Sequence, residues 1–202
     1  MKIGVLGGTF DPIHIGHLLL GEFAYVDFGL DEIWFLPNGD PPHKDAALTE
    51  DDLKHRVNMV ELAVEAVPYF KVSLYEARND RHSYTYQTMS EFHKQYPEHE
   101  FYFILGADAL FSIEKWVYFK EIFPNCTILA AMRDDKDFES MNRQILYLKE
   151  TYGAKIELLR APLLEISSTT IRGRTARGLS VRFMVPDKVA EYIKNGHLYL
   201  GR

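Results

Sequence analysis

The residues best suited to chemistry lie near the two ends of this 202-residue chain. Close to the start, Gly7-Gly8-Thr9-Phe10-Asp11-Pro12 runs into Ile13-His14-Ile15-Gly16-His17. Gly7 and Gly8 carry no side chains, so a phosphate or a ribose can approach their backbone closely, and Thr9 adds a hydroxyl beside them. His14 and His17 fall on one face at the start of an expected helix. Helix N-termini favour anions through unsatisfied N–H groups and the helix dipole. Two imidazoles there can donate hydrogen bonds to phosphate oxygens as charge builds on a departing group. The alternatives are a capping histidine beside a packed one, and a metal pair. The metal pair lacks both the H-E-x-x-H glutamate and a nearby third ligand in sequence. Neither a G-x-G-x-x-G nor a P-loop ending in G-K-[ST] occurs here, so the phosphate site is of another kind.

Towards the other end, Ile166-Ser167-Ser168-Thr169-Thr170-Ile171-Arg172 places three hydroxyls before a helical stretch. Ser167, Ser168 and Thr169 are good N-cap residues, which accounts for them as a helix start. Together with free N–H groups they also form an anion cradle, to which Arg172, one turn on, can add its guanidinium. Arg174 and Arg177 continue a basic run that fits a solvated helix face, and they are assigned no role.

Apolar runs of strand length alternate with segments of helical period between these ends, the pattern of a parallel sheet covered by helices. Strands are expected at 3–6, 32–36, 71–74, 101–105, 127–131 and 155–159. Helices are expected at 16–28, 52–67, 84–96 and 138–152, with shorter pieces around Trp116 and Ser168. A last helix, 186–195, has Pro186 at its first turn, Gly196 at its stop and an apolar stripe of Val189, Ala190 and Ile193. Such sheets bind ligands outside the carboxyl ends of their strands, where the strand order reverses. Two segments follow strands in that way, the first glycine pair and Gly106-Ala107-Asp108.

With 47% hydrophobic and 26% charged residues, the chain can bury a sizeable core, and one domain over 1–202 is the expectation. A net charge of −6 gives no overall basic field, so a nucleic acid polymer is not an expected partner. The single cysteine, Cys126, leaves no disulfide framework and fits a reducing, cytoplasmic setting. No apolar run has the length of a signal-peptide core at the start or of a membrane span elsewhere. Nothing in the sequence sets the number of copies, and a homo-oligomer stays open.

The first segment resembles the signature of the H-x-G-H nucleotidylyltransferase superfamily, and the second is similar to that superfamily's I-S-S-T-x-x-R element. The residues between them resemble the nicotinate mononucleotide adenylyltransferases of bacterial type. They include Pro37-Asn38-Gly39-Asp40-Pro41-Pro42-His43-Lys44, Ser83-Tyr84-Thr85-Tyr86, Gly106-Ala107-Asp108, Lys115-Trp116 and the closing Val185-Pro186-Asp187-Lys188-Val189. The resemblance implies a Rossmann-like, doubly wound parallel α/β sheet with helices on both faces. It also implies that ATP meets Gly7, Gly8, Thr9, Phe10, His14, Gly16, His17, Gly106, Asp108, Ile166, Ser167, Ser168, Thr169 and Arg172, with Asp108 at the ribose. Nicotinate mononucleotide would meet Gly8, Thr9, Lys44, Thr85, Trp116 and Tyr118. There an aromatic face holds the flat ring, and main-chain N–H donors hold a carboxylate but cannot equally serve an amide NH2. Two positions depart from the family pattern: Arg133-Asp134-Asp135 stands where Arg-Pro-Gly is usual, and Asp40-Pro41 replaces neutral residues.

The implied reaction is attack by the mononucleotide 5′-phosphate on the α-phosphorus of ATP, with pyrophosphate leaving. His14, His17, Lys44 and Arg172 would be the catalytic residues. Mg2+ would be bound mainly through the ATP phosphates, without a dedicated protein site. Three rivals remain: another adenylyltransferase of the superfamily, such as one acting on phosphopantetheine; a non-catalytic nucleotide-binding module; and a metal-dependent hydrolase built on the two histidines.

Overall fold

The computed structural model describes residues 1–39, 49–78, 84–132, 138–162 and 164–200. Its strands are β1 (Lys2–Gly8), β2 (Glu32–Pro37), β3 (Phe70–Val72), β4 (Glu100–Gly106), β5 (Thr127–Ala131) and β6 (Ile156–Leu159). They form one sheet in the order β3-β2-β1-β4-β5-β6, every neighbouring pair parallel. The helices are α1 (Ile15–Phe28), α2 (Glu50–Val64), α3 (Thr85–Gln95), α4 (Ala107–Ser112), α5 (Phe138–Tyr152), α6 (Ser168–Ala176) and α7 (Asp187–Asn195). Two short 3-10 turns, Ile113–Lys115 and Phe119–Glu121, flank Trp116. This is the expected Rossmann-like, doubly wound α/β arrangement.

A strand covered on both faces must be apolar at successive positions, and its side chains then divide by parity between two cores. In β4, Phe101, Phe103 and Leu105 pack with Met89, Phe92, Leu110 and Leu148. Ile104 points the other way, into a cluster with Ala24, Met59, Val60 and Val189. β5 divides likewise, Ile128 and Ala130 to one side, Leu129 and Ala131 to the other. The helices on the β3-β2-β1 half thus cover one face, and α3, α4 and α5 the opposite one. The winding reverses between β1 and β4, and Gly8 and Gly106 end those two strands side by side at the switch point.

Several boundaries differ from expectation for local reasons. α2 starts two residues early because Thr49 and Asp52 form a reciprocal cap: Asp52 N–H donates to Thr49 Oγ1 and Thr49 N–H to Asp52 Oδ2, each at 3.1 Å. Glu50, Asp51 and Asp52 in its first turn also suit the helix dipole. β3 ends at Val72, two residues short, and the chain turns at once, with Arg78 N–H donating to Leu74 O (3.0 Å). The helical piece around Trp116 is two 3-10 turns rather than one α-helix, and the six-residue α4 precedes them. Among the described residues no helix is long and apolar enough to cross a membrane.

Candidate active site

The first loop leaves β1 through Gly7 and Gly8 and turns at Phe10, whose φ of 49° is uncommon for an aromatic residue. Burial accounts for the cost: the Phe10 ring is enclosed against Phe35 and meets the His17 ring edge-on at 5.0 Å. A Cβ on Gly8 would lie 3.0 Å from that ring, so the glycine makes room for the turn. His14 is the N-cap of α1 and His17 is its third residue. Their rings stack at 3.7 Å, and a Cβ on Gly16 would press within 3.1 Å of the His14 ring. The H-x-G-H spacing is therefore a packing requirement.

His17 is held neutral. Burial first, and the neighbouring His14 second, push its imidazole down to about 3. His14 N–H donates to His17 Nδ1 at 3.2 Å, which fixes that nitrogen as the acceptor and leaves the ring proton on Nε2. The ring is thus a single-donor imidazole rather than a cation. The expectation of open N–H groups at the start of α1 is corrected at two positions: Ile15 N–H donates to Met184 O (3.0 Å), in the C-terminal part of the chain, and His17 N–H donates to His14 O (2.9 Å).

The second segment joins the first directly. Ser167 caps α6 by accepting from Thr170 N–H (3.1 Å). Ser168 Oγ donates to Pro12 O at 2.9 Å. Arg172 donates through Nη1 to Asp11 O at 2.6 Å and through Nη2 to Thr169 Oγ1 at 3.2 Å, and its guanidinium lies 3.6 Å from the Asp11 carboxylate. Two bonds use two of five guanidinium donors, so capacity for an anion remains. Thr169 is exposed and Ile166 packs on the core beneath. Ser167, Ser168, Thr169 and Arg172 therefore stand against the loop that carries His14 and His17.

Sequence reasoning missed two supports of this loop and, third, a buried polar group that braces α3. Arg56, on α2, is only 1% exposed. It donates through Nη1 to Thr9 O (2.7 Å), Asn38 O (2.8 Å) and Asn38 Oδ1 (3.3 Å), and through Nη2 to Gly39 O (3.0 Å). Burial opposes its charge, while Asp11 and Asp52 favour it. Its signal was present: Arg56 shares the helical face of Met59, Val60 and Ala63, where an apolar residue is expected. Asp11 accepts the Tyr199 hydroxyl (2.8 Å), a contact across 188 positions that no local pattern announces. Glu76 is the third, buried and accepting from Thr88 Oγ1 (2.7 Å), with burial pushing its carboxyl above the usual range.

On the other side of the switch point, Gly106 is the N-cap of α4 and Asp108 is an exposed carboxylate in its first turn. A Cβ on Gly106 would meet open space. Thr85 opens α3 behind an N-cap, Tyr84, that supplies no side-chain cap. Trp116 is half-buried, its ring edge-on to Phe103 at 6.4 Å. Tyr118 has a left-handed φ of 48° and is 63% exposed. Its ring meets Tyr86 edge-on at 5.0 Å, which brings the start of α3 and the turn after Trp116 together. Lys44, with Asp40, Pro41, Pro42 and His43, lies outside the described residues, as do Ser83 and the Arg133-Asp134-Asp135 segment. Among the described residues no group of three or more His, Cys, Asp and Glu side chains is placed to hold a metal ion.

Comparison with known proteins gives this crevice a family. The model described as cytidylyltransferase-like matches residues 5–174. A chain from Lachnoclostridium phytofermentans named probable nicotinate-nucleotide adenylyltransferase is 45% identical over 200 residues, covering 98% of this chain and 99% of its own. One of the same name from Exiguobacterium sibiricum is 40% identical over 199 residues, with 98% and 99% covered. The chain belongs to the nicotinate-nucleotide adenylyltransferase family. The fold agrees with that of the Plasmodium falciparum nicotinic acid mononucleotide adenylyltransferase. Its complex with NaAD superposes with a TM-score of 0.76 at 22% identity, covering 98% of this chain and 97% of that one. Its complex with APC gives 0.75 at the same identity, with 98% and 96% covered. The match to the family model spans both end segments, and the relatives' matches cover the residues between them as well.

Proposed function

We propose that this chain transfers the adenylyl group of ATP to nicotinate mononucleotide, giving nicotinate adenine dinucleotide and pyrophosphate, in NAD biosynthesis. The observation that carries the proposal is the joining of the two end segments at the sheet's switch point, through Ser168 to Pro12 and Arg172 to Asp11. An oxygen of the mononucleotide 5′-phosphate bonds to the α-phosphorus as the bond to the β-phosphate bridging oxygen breaks. The nucleophile is already anionic at neutral pH, so the reaction needs positioning and charge stabilisation more than a base. His17, neutral with its proton on Nε2, donates to a phosphate oxygen as charge grows, and His14 acts beside it. Arg172 and the hydroxyls of Ser167, Ser168 and Thr169 hold the other side of the phosphate chain, and Lys44 completes the set.

Gly7, Gly8, Thr9, Phe10, Gly16, Gly106 and Ile166 shape the ATP half, with Asp108 at the ribose hydroxyls. Thr85 and Tyr118 present main-chain donors to the nicotinate carboxylate, and Trp116 lies under the ring. The donor set suits an Mg2+ ion carried by the substrate, since Asp11 is committed to Tyr199 and Arg172. Bound through the ATP phosphates, such an ion would supply neutralisation of their charge. A cytoplasmic setting fits the buried free thiol of Cys126.

A coupled pyrophosphate-release assay with ATP and three acceptors tests the reading. Nicotinate mononucleotide should be turned over, and nicotinamide mononucleotide should be used about 100-fold less well or worse in kcat/KM, because N–H donors cannot serve an amide NH2. Equal use of acid and amide would reject the carboxylate site. Turnover of phosphopantetheine alone would reject the acceptor.

A further inference from the structure

Arg56 is a charged residue in a place where packing alone favours an apolar one. Its neighbours on α2, Met59, Val60 and Ala63, belong to the core, and its side chain is as buried as theirs. Its Nε atom is buried and, among the described residues, has no hydrogen-bond partner. A buried ion with an unsatisfied donor is a poor route to stability, and a well-packed apolar residue of the same volume often does as well or better. The structure therefore calls for another account of the guanidinium.

That account lies in what it binds. Three of its four acceptors are main-chain carbonyls, Thr9 O after β1, and Asn38 O and Gly39 O after β2. β1 and β2 are adjacent, and Asn38 N–H also donates to Gly8 O (3.0 Å), so the two loops leave the sheet as one unit. A trans peptide points its C=O and the following N–H in opposite senses. Turning the Thr9 and Asn38 carbonyls onto the guanidinium thus turns the N–H groups of Phe10 and Gly39 away from it. Arg56 sets both the spacing of the two loops and the direction of their donors. The planar fork suits this task, since Nη1 and Nη2 reach different loop positions at once, which a single ammonium centre cannot do.

We propose that Arg56 is a positioning residue for adenylyl transfer: from beneath, it fixes the Gly8-Thr9-Phe10 turn against the loop at Asn38 and Gly39. The histidine loop is thereby held in its reacting geometry. The proposal rests on the adenylyl-transfer reading above, and the wild-type assay with nicotinate mononucleotide tests that reading separately. A wild-type chain that fails to turn over rejects the function, whereas the variants below bear on Arg56 alone.

The test is steady-state kinetics of Arg56→Lys and Arg56→Met in the full chain, expressed per folded molecule, with the folded fraction taken from near-ultraviolet circular dichroism. Lysine keeps the charge and loses the fork. Its kcat should fall about 100-fold, the scale on which displacement of a reacting group by about 1 Å acts, while KM for either substrate moves less than threefold. Methionine should fall at least as far. A folded Arg56→Lys chain with kcat within twofold of wild type would overturn the proposal, since a purely structural arginine alters the folded fraction and not turnover per folded molecule. If neither variant folds, Asn38→Ala takes their place. It removes the side-chain acceptor while leaving Arg56 and the carbonyls, so kcat should drop severalfold at unchanged KM, and an unchanged kcat would equally overturn the proposal.

Discussion

At the scale of single residues, His17 carries the most information. Wedged between the Phe10 ring and the stacked His14 ring, it is a neutral donor whose proton position is set by the main chain of His14. His17→Ala should lower kcat about 100- to 1000-fold, the usual cost of losing one donor to a developing anion, with a much smaller change in KM. An unchanged kcat would remove His17 from the mechanism. The same burial has a stability signature. Unfolded, the imidazole takes a proton near 6.5; folded, it does so only at about 3. Between those values the unfolded state binds the extra proton, so stability is full above pH 6.5 and falls as the pH drops through the window. Urea midpoints at pH 7 and pH 4.5 should therefore separate further for the wild type than for His17→Ala. Equal separations would show that His17 is not the group responsible.

At the scale of elements, α6 matters less for its length than for its seat. Ser167 and Ser168 are neighbours with different tasks. Ser167 caps the helix, and its loss to alanine should cost about 1 kcal/mol of stability in thermal or urea unfolding. Ser168 ties the helix to Pro12 O, so Ser168→Ala should weaken kcat/KM for ATP about tenfold with a stability loss of about 1 kcal/mol or less. An unaltered kcat/KM would make that contact packing only.

The contrast between these two residues also explains what the sequence could reveal. Ser167's role is local, a hydroxyl meeting an N–H three residues on, and such roles leave a pattern. The strands were legible for a similar reason, since burial on both faces makes them continuous apolar runs. The histidine pair and the Ser-Ser-Thr run were legible as motifs, and the fold does bring the segments that carry them together through Ser168 to Pro12 and Arg172 to Asp11. The partners of Arg56 and Ser168 were not legible, because carbonyl groups have no residue code: Thr9, Asn38, Gly39 and Pro12 accept through atoms that every residue owns. The 3-10 turns around Trp116 were blurred into a helix because three-residue turns carry no periodicity to read.

At the scale of the molecule, the crevice is closed by both ends of the chain. β1 lies at the centre of the sheet and delivers the first loop, and the last turns of the chain return to brace it. Met184 O accepts from Ile15 N–H, and Tyr192, on α7, has its hydroxyl against His55 Nδ1 and accepts from Asn58 on α2. Tyr199, 7% exposed with a left-handed φ of 65°, donates to Asp11 Oδ1. The Asp11 carboxylate therefore stands between Tyr199 and Arg172, two groups from the C-terminal part of the sequence that hold one residue of the N-terminal loop. Tyr199→Phe keeps the ring and removes the hydroxyl that donates to the charged Asp11 and lies 4.0 Å from Met59 Sδ, which should cost about 1.5–3 kcal/mol in urea unfolding. Because Asp11 then loses a donor that competes with Arg172, the guanidinium should be drawn towards the carboxylate and away from the phosphate site proposed for it, so KM for ATP should rise severalfold while KM for the mononucleotide stays close to wild type. A chain ending at Gly196 should show both losses more strongly, since it also gives up the packing of Leu198. If Tyr199→Phe loses stability but keeps its KM for ATP, the C-terminal turn braces the fold and does not tune the site; if it loses neither, the hydrogen bond is incidental to both.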